Sequence, residues 1–202
     1  MKLVVMTKST FFVEEDKILT ALFDEGMERL HLYKPQSLPI YTERLLSLIP
    51  DHYYKQISIH ENFYLNREYD LGGIHLDNQH EEVPQGIKGR VSRTCEDLSL
   101  LKEMKKNANY VFLRRVFDEP NNNEKKATFT RQQLEEAADK GWIDKKVYAL
   151  GGVTTDNIKA AKKLGFGGVV ICSDLWNKFD VHNETDYKTL LTHFKKIRNI
   201  AD

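Results

Sequence analysis

The 202-residue chain reads as an α/β protein of the (β/α)8 TIM-barrel class, a small single domain over residues 1–202. Three observations predict this. Eight short runs, apolar or alternating, recur along the whole length; segments with apolar residues three and four apart lie between most of them; and no shift in composition divides the chain. About 200 residues is at the small end for such a barrel.

Taken in order, LVVM at 3–6 opens the chain as a strand, and Ile18, Leu19, Leu22 and Phe23 give the first helical stripe. LHLY at 30–33 is followed by Leu45, Leu46 and Ile49, and ISI at 57–59 by only a short helix within 62–69. GIHL at 73–76 leads to GRVS at 89–92 with no helical pattern between them. Leu98, Leu101 and Met104 then precede YVFL at 110–113; Leu134, Ala137 and Ala138 precede VYAL at 147–150; Ile158, Ala161 and Leu164 precede GVVI at 168–171. The two weak connections leave an open doubly wound sheet as the alternative. The polar run 121–126, flanked by Pro120, reads as a mobile loop.

Thirty basic residues balance thirty acidic ones, so no overall field favours nucleic acid or an anionic membrane, and a small molecule or another protein is the expected partner. Cys95 and Cys172 lack CxxC spacing and read as reduced thiols. The first apolar run spans four residues, too short for a signal peptide, and none approaches membrane-spanning length. A cytoplasmic protein is expected, and a homodimer is compatible with the sequence.

A (β/α)8 barrel places chemistry at the carboxyl ends of its strands. After the seventh strand stand Gly151 and Gly152, where the absence of Cβ lets a ligand oxygen reach backbone amides, with a helix expected to begin near Thr155 or Asp156. After the eighth come Cys172 and Ser173, so the two loops together read as a phosphate site. Glu61, Asp77 and His80 after the third and fourth strands are oxygen and nitrogen ligands, the carboxylates suiting magnesium. His75 alternates with apolar neighbours and reads as a packed histidine. Of Arg114 and Arg115, strand alternation points one into the mouth as a clamp for phosphate or carboxylate and the other outwards. Lys34, Arg93, Lys125 and Lys126 read as solvated charges that add positive potential.

The order of these motifs resembles the thiamine phosphate synthase and thiazole tautomerase superfamily over nearly the whole chain. Tyr148-Ala-Leu-Gly-Gly-Val-Thr-Thr-Asp-Asn157 is similar to its A-I-G-G-I stretch and Gly165-Phe-Gly-Gly-Val-Val-Ile-Cys-Ser173 to G-A-D-G-V-A-V-V-S. Gly73-Ile-His-Leu-Asp-Asn78 resembles G-V-H-L-G-Q, Val91-Ser92 the V-S of the fifth strand, and Tyr110-Val-Phe-Leu-Arg-Arg-Val-Phe117 the stretch Y-V-G-L-G-P-V-F. The resemblance implies a (β/α)8 barrel that joins a hydroxymethylpyrimidine diphosphate to a thiazole phosphate, losing pyrophosphate with magnesium bound. It implies a phosphate held at Gly151, Gly152, Cys172 and Ser173, with Ser92 near the pyrimidine and pyrophosphate. Lys125 or Lys126 stands for the family's loop lysine.

The chain departs from the pattern elsewhere. Its second strand reads His31-Leu-Tyr33-Lys34-Pro35 where the family has Q-x-R-x-K, His60-Glu61 replaces N-D, and His80 stands for the metal-binding aspartate. A Glu61/His80 pair suits manganese or zinc better than magnesium. The tautomerase branch would use His31, Glu61 or His80 as acid or base and Arg115 as the carboxylate clamp. A non-catalytic binder of a phosphorylated thiazole or thiamine is a third reading.

Overall fold

The computed structural model of the chain describes residues 1–77, 82–120, 126–180 and 187–202. All eight expected strands form: β1 (Lys2–Met6), β2 (Leu30–Leu32), β3 (Ile57–Ile59), β4 (Gly73–Leu76), β5 (Arg90–Cys95), β6 (Tyr110–Arg114), β7 (Val147–Leu150) and β8 (Gly168–Ile171). Each pairs in parallel with the next, and β1 pairs with β8 in the register Lys2 to Gly168 through Val5 to Ile171, so the sheet closes. Closure excludes the open doubly wound sheet.

The helices are α1 (Glu15–Asp24), α2 (Pro39–Leu48), α3 (Leu65–Glu68), α4 (Leu101–Met104), α5 (Arg131–Asp139), α6 (Ile158–Lys163), α7 (Ser173–Trp176) and α8 (Lys188–Ala201). No helix forms among the described residues between β4 and β5, in line with the missing periodicity there. Thr130 caps α5 by accepting the Gln133 N–H while Gln133 accepts the Thr130 N–H, a reciprocal box that satisfies two otherwise unpaired donors. The stripe Leu190, Phe194, Ile197 and Ala201 buries α8 against the barrel. Leu190, Phe194 and Ile197 each contribute about 1.5–3 kcal/mol by this burial.

Alternation along the strands makes two separate cores. Outward residues such as Val5, Leu30, Ile74, Val111, Leu113 and Val169 pack under the helices. Inside, Val4, Met6, Tyr110, Phe112, Tyr148 and Val170 form a smaller apolar cluster on the β6–β7–β8–β1 side. Gly168 makes room for it, because a Cβ there would lie 2.7 Å from the Tyr148 ring. On the opposite wall, β2 to β5 contribute His31, His60, His75, Ser92 and Thr94, all buried. The barrel axis is therefore polar on one wall and apolar on the other.

Candidate active site at the carboxyl ends of the strands

A cavity of about 380 Å³ opens at the carboxyl ends of the strands. Its lining includes Tyr33, His60, Asp77, Thr94, Arg114, Arg115, Glu119, Gly151, Gly152, Cys172 and Ser173. All four residues expected to hold phosphate are among them. The helix expected near Thr155 begins later, at Ile158, and has six residues. Thr154 and Asn157 turn the chain first: the Thr154 N–H donates to Asn157 Oδ1 at 2.9 Å, and Asn157 Nδ2 donates to the Gly152 carbonyl at 2.7 Å. The groups presented to the cavity are instead the Gly152 N–H and the Ser173 hydroxyl. Both donate to the carboxylate of Glu119, the former at 3.0 Å.

The glycine pair is required by the chain itself. Both residues have positive φ, 94° and 63°, which disfavours any side chain. A Cβ at Gly151 would lie 2.9 Å from Arg115 Cα, and one at Gly152 would lie 2.4 Å from the carbonyl oxygens of Phe117 and Asp118. The close approach expected of a ligand is made here by the segment after β6. Gly152→Ala is therefore expected to displace that segment and lower stability by about 1–3 kcal/mol, through strain at a left-handed position and the clash. An unchanged urea midpoint in the variant would contradict this.

The cationic residues are deployed differently from the expectation. Tyr110 and Phe112 face the barrel interior, so Arg114 continues the inward series; Arg115, at φ 59°, turns in the left-handed region, and both arginines line the cavity. Strand alternation no longer applies to Arg115 because the strand ends at Arg114. Arg114 Nη1 donates to Glu96 Oε1 at 2.9 Å. Lys34 is not a solvated charge: it is 1% exposed, and its Nζ meets Glu15 Oε1 and Oε2 at 2.7 and 2.9 Å. Arg93 is buried as well. Lys126 is exposed and lies 3.8 Å from Asp118, while Lys125 is outside the described residues.

Ser92 and His31 lie below the cavity, fully buried, and β5 presents Thr94 in its place. They belong to a hydrogen-bonded network along the polar wall. Asp77 Oδ2 lies 3.0 Å from His60 Nδ1, His60 Nε2 lies 2.9 Å from His31 Nδ1, and His31 Nε2 lies 2.7 Å from the Tyr110 hydroxyl. A carboxylate at Asp77 sets the direction of this chain, so that Tyr110 donates to His31, His31 to His60 and His60 to Asp77. His75 bonds the Ser92 and Thr94 hydroxyls, both at 2.8 Å. Burial lowers His31 and His75 well below the usual histidine range, with the charge of His60 adding to the effect.

Nitrogens of His31, His60 and His75 lie within 4.8 Å of one another, the spacing of a metal site. Yet all six ring nitrogens have hydrogen-bond partners, and the His60 and His75 rings stack at 4.3 Å and 27°, which keeps their in-plane lone pairs from converging. The cluster is a satisfied polar core. The rim carries the other candidate ligands: Glu61 accepts the Lys34 N–H at 3.2 Å, and His80 lies outside the described residues. Burial pushes the Glu61 carboxyl up, and the charge of Asp77 pushes it further, while the Lys34 N–H and His60 oppose this.

Sequence reasoning noted His60 at a strand end without giving it a role, and passed over Glu119. The role of the first was legible, since His31 and His75 fall at inward positions of β2 and β4 and His60 follows directly on β3 between them; Glu119 carried no signal, being one acid in a polar loop.

Comparison with known proteins bears on this arrangement. No curated protein matches the chain in sequence. Among solved structures, the thiamine phosphate pyrophosphorylase from Bacteroides thetaiotaomicron is 45% identical, covers 100% of this chain and 98% of its own, and superposes with a TM-score of 0.89. The thiamine phosphate pyrophosphorylase from Pyrococcus furiosus, at 17% identity, 99% and 95% coverage and a TM-score of 0.71, shares the fold. So does a 3-hexulose-6-phosphate synthase at 15% identity, with both chains fully covered and a TM-score of 0.66. The sequence pattern described as thiamine monophosphate synthase matches residues 41–175. With that match over more than half its length, and with the barrel and strand-end cavity described above, the chain belongs to the thiamine monophosphate synthase family.

Proposed function

We propose that the chain is a thiamine-phosphate synthase-like transferase, joining hydroxymethylpyrimidine diphosphate to a thiazole phosphate with loss of pyrophosphate. The observation that carries this reading is the placement of an anion-binding pair, the Gly152 N–H and the Ser173 hydroxyl, in one cavity with Arg114 and Arg115. The pair would hold the thiazole phosphate. The arginines would neutralise charge as the carbon–oxygen bond to pyrophosphate breaks with its electron pair on oxygen, while the thiazole nitrogen attacks the pyrimidine methylene. Lys125 and Lys126 would add to that neutralisation from the loop, and Ser92 and His31 would act from below by orienting His75 and His60.

Glu61 and Asp77, on neighbouring strand ends, are oxygen donors whose charges oppose each other, an arrangement that suits a hard divalent cation such as magnesium. A cation held there would supply further charge neutralisation for the leaving group. As a biosynthetic enzyme the protein would act in the cytoplasm. Among the described residues no helix is long and apolar enough to cross a membrane.

Purified protein supplied with both substrates and magnesium, manganese or zinc should release pyrophosphate; no release with any metal would refute the activity. Ser173→Ala should raise KM for the thiazole phosphate on the order of tenfold, the loss of one hydrogen bond to a charged group. A second reading is favoured by the bond between His60 and Asp77, which presents an oriented carboxylate to the cavity. Asp77 would then move a proton on a thiazole phosphate carboxylate clamped by Arg115, as in a thiazole tautomerase. Isomerisation followed by NMR tests it, and a rate equal to buffer would dismiss it.

A further inference from the structure

The donors assigned to phosphate already hold an anion belonging to the chain. Glu119 places one carboxylate oxygen 3.0 Å from the Gly152 nitrogen and the other on the Ser173 hydroxyl. This is the geometry by which a phosphate monoester would use the same two donors. Three features keep the carboxylate there. The Val116 and Phe117 N–H groups donate to the Leu150 and Gly151 carbonyls at 3.1 and 3.2 Å, which ties the segment before Glu119 along the end of β7. The glycine pair lets that segment cross with carbonyl oxygens closer than any Cβ at Gly152 would allow. Ala127 and Thr128, which follow Glu119, bond back to residues before it: the Ala127 N–H donates to Asp118 Oδ1 at 2.8 Å and the Thr128 N–H to the Arg115 carbonyl at 2.9 Å.

A carboxylate tethered this way competes at an effective concentration of roughly millimolar or above, with no need to diffuse to its site. An incoming ligand has to displace it, so its apparent affinity is its intrinsic affinity reduced by the fraction of molecules in which the donors are free. A single carboxylate from solution has one charge and two oxygens, no advantage over Glu119. A phosphate monoester dianion has about two charges and three acceptor oxygens. It also repels Glu119 once bound, so the two cannot share the donors.

We infer that Glu119 is a resident competitor of the phosphate site, a specificity-determining residue that restricts the site to ligands carrying a phosphate dianion, whose binding displaces the Glu119 carboxylate. This rests on the reading of Gly152 and Ser173 as phosphate donors, and the test separates the two ideas.

Binding of inorganic phosphate and of thiamine phosphate is measured by calorimetry at pH 8 for the full chain and for Glu119→Gln, Glu119→Ala and Ser173→Ala. If the seated state outweighs the free state about ten to one, removing the charge strengthens binding of both ligands on the order of tenfold. Ser173→Ala weakens it. Equal or weaker binding in both Glu119 variants, with wild type binding and Ser173→Ala impaired, overturns the competitor and leaves the phosphate site standing. No binding by wild type or by either Glu119 variant overturns the phosphate site and the competitor together. Thermal melts of the variants identify any that are unfolded, and the paired Gln and Ala substitutions keep the comparison available should one fail.

Discussion

Lys34→Ala is expected to lower the stability of the protein by about 3–5 kcal/mol, a fall in Tm of roughly 6–20 °C for a domain of this size. The reason is the charge that the substitution leaves behind. Lys34 and Glu15 are 1% and 2% exposed, and Lys34 Nζ meets both carboxylate oxygens and the Thr10 carbonyl, the last at 2.9 Å. Burial shifts each partner towards its neutral form, Glu15 upwards and Lys34 downwards, and the opposite charge of the other restrains both. Without Lys34, the Glu15 carboxylate loses its direct ion-pair partner and keeps only the weaker influence of the Lys8 charge. Replacing both residues, as Glu15→Leu with Lys34→Met, removes the two charges together and should restore much of the loss. Urea unfolding of the two single variants and the double variant measures this. A Lys34→Ala loss below about 1 kcal/mol, the range of exposed pairs, would show that the ion pair is not closed from water. The same pair explains why this lysine is absent from the cavity: its ammonium joins the end of β2 to the start of α1.

Acidification should unfold the protein through its core. His31 and His75 are fully buried and hydrogen-bonded, and both titrate well below the usual value near 6.5. Because the folded pKa is depressed, the unfolded chain takes up protons that the folded chain refuses. The stability they contribute is complete above about pH 6.5 and is lost as the pH falls towards the folded values. At about 1.4 kcal/mol per unit for each histidine, the pair should lose about 3 kcal/mol between pH 7.5 and 5.5. Glu15 and Glu61, raised by burial, act in the opposite direction, since a raised carboxyl stabilises the fold towards lower pH and offsets part of the slope. Urea midpoints at the two pH values test the expectation, with His75→Gln reducing the slope by about half. A flat profile would mean that the two rings admit a proton in the folded state.

Particular residues show where the sequence is legible and where it is not. Every strand was readable because a half-turn alternation or a short apolar run needs no knowledge of the partner, and α3 was readable as a short element for the same reason. Gly151, Gly152, Cys172 and Ser173 line the cavity, a position legible in the sequence because strand ends, once located, locate the loops. Ser92 was assigned to the mouth one step too deep: Thr94, two residues on, shares its face and reaches the cavity.

Closure was decided by the pairing of β1 with β8; what the sequence by itself determined is the eight strands in order and the end of them that carries the chemistry. These follow from local periodicity and from glycines at strand ends. Only the tertiary structure decided what each polar group meets. Tyr110 lies 79 residues from His31, Glu119 lies 33 from Gly152 and 54 from Ser173, and Glu15 lies 19 from Lys34. Each pairing is set by strand register and loop path, which bring distant groups within hydrogen-bond reach and remove water from between them. A lysine, a glutamate and a histidine in the sequence have solvent as the default partner; barrel closure replaces that partner with a specific charge, amide or ring.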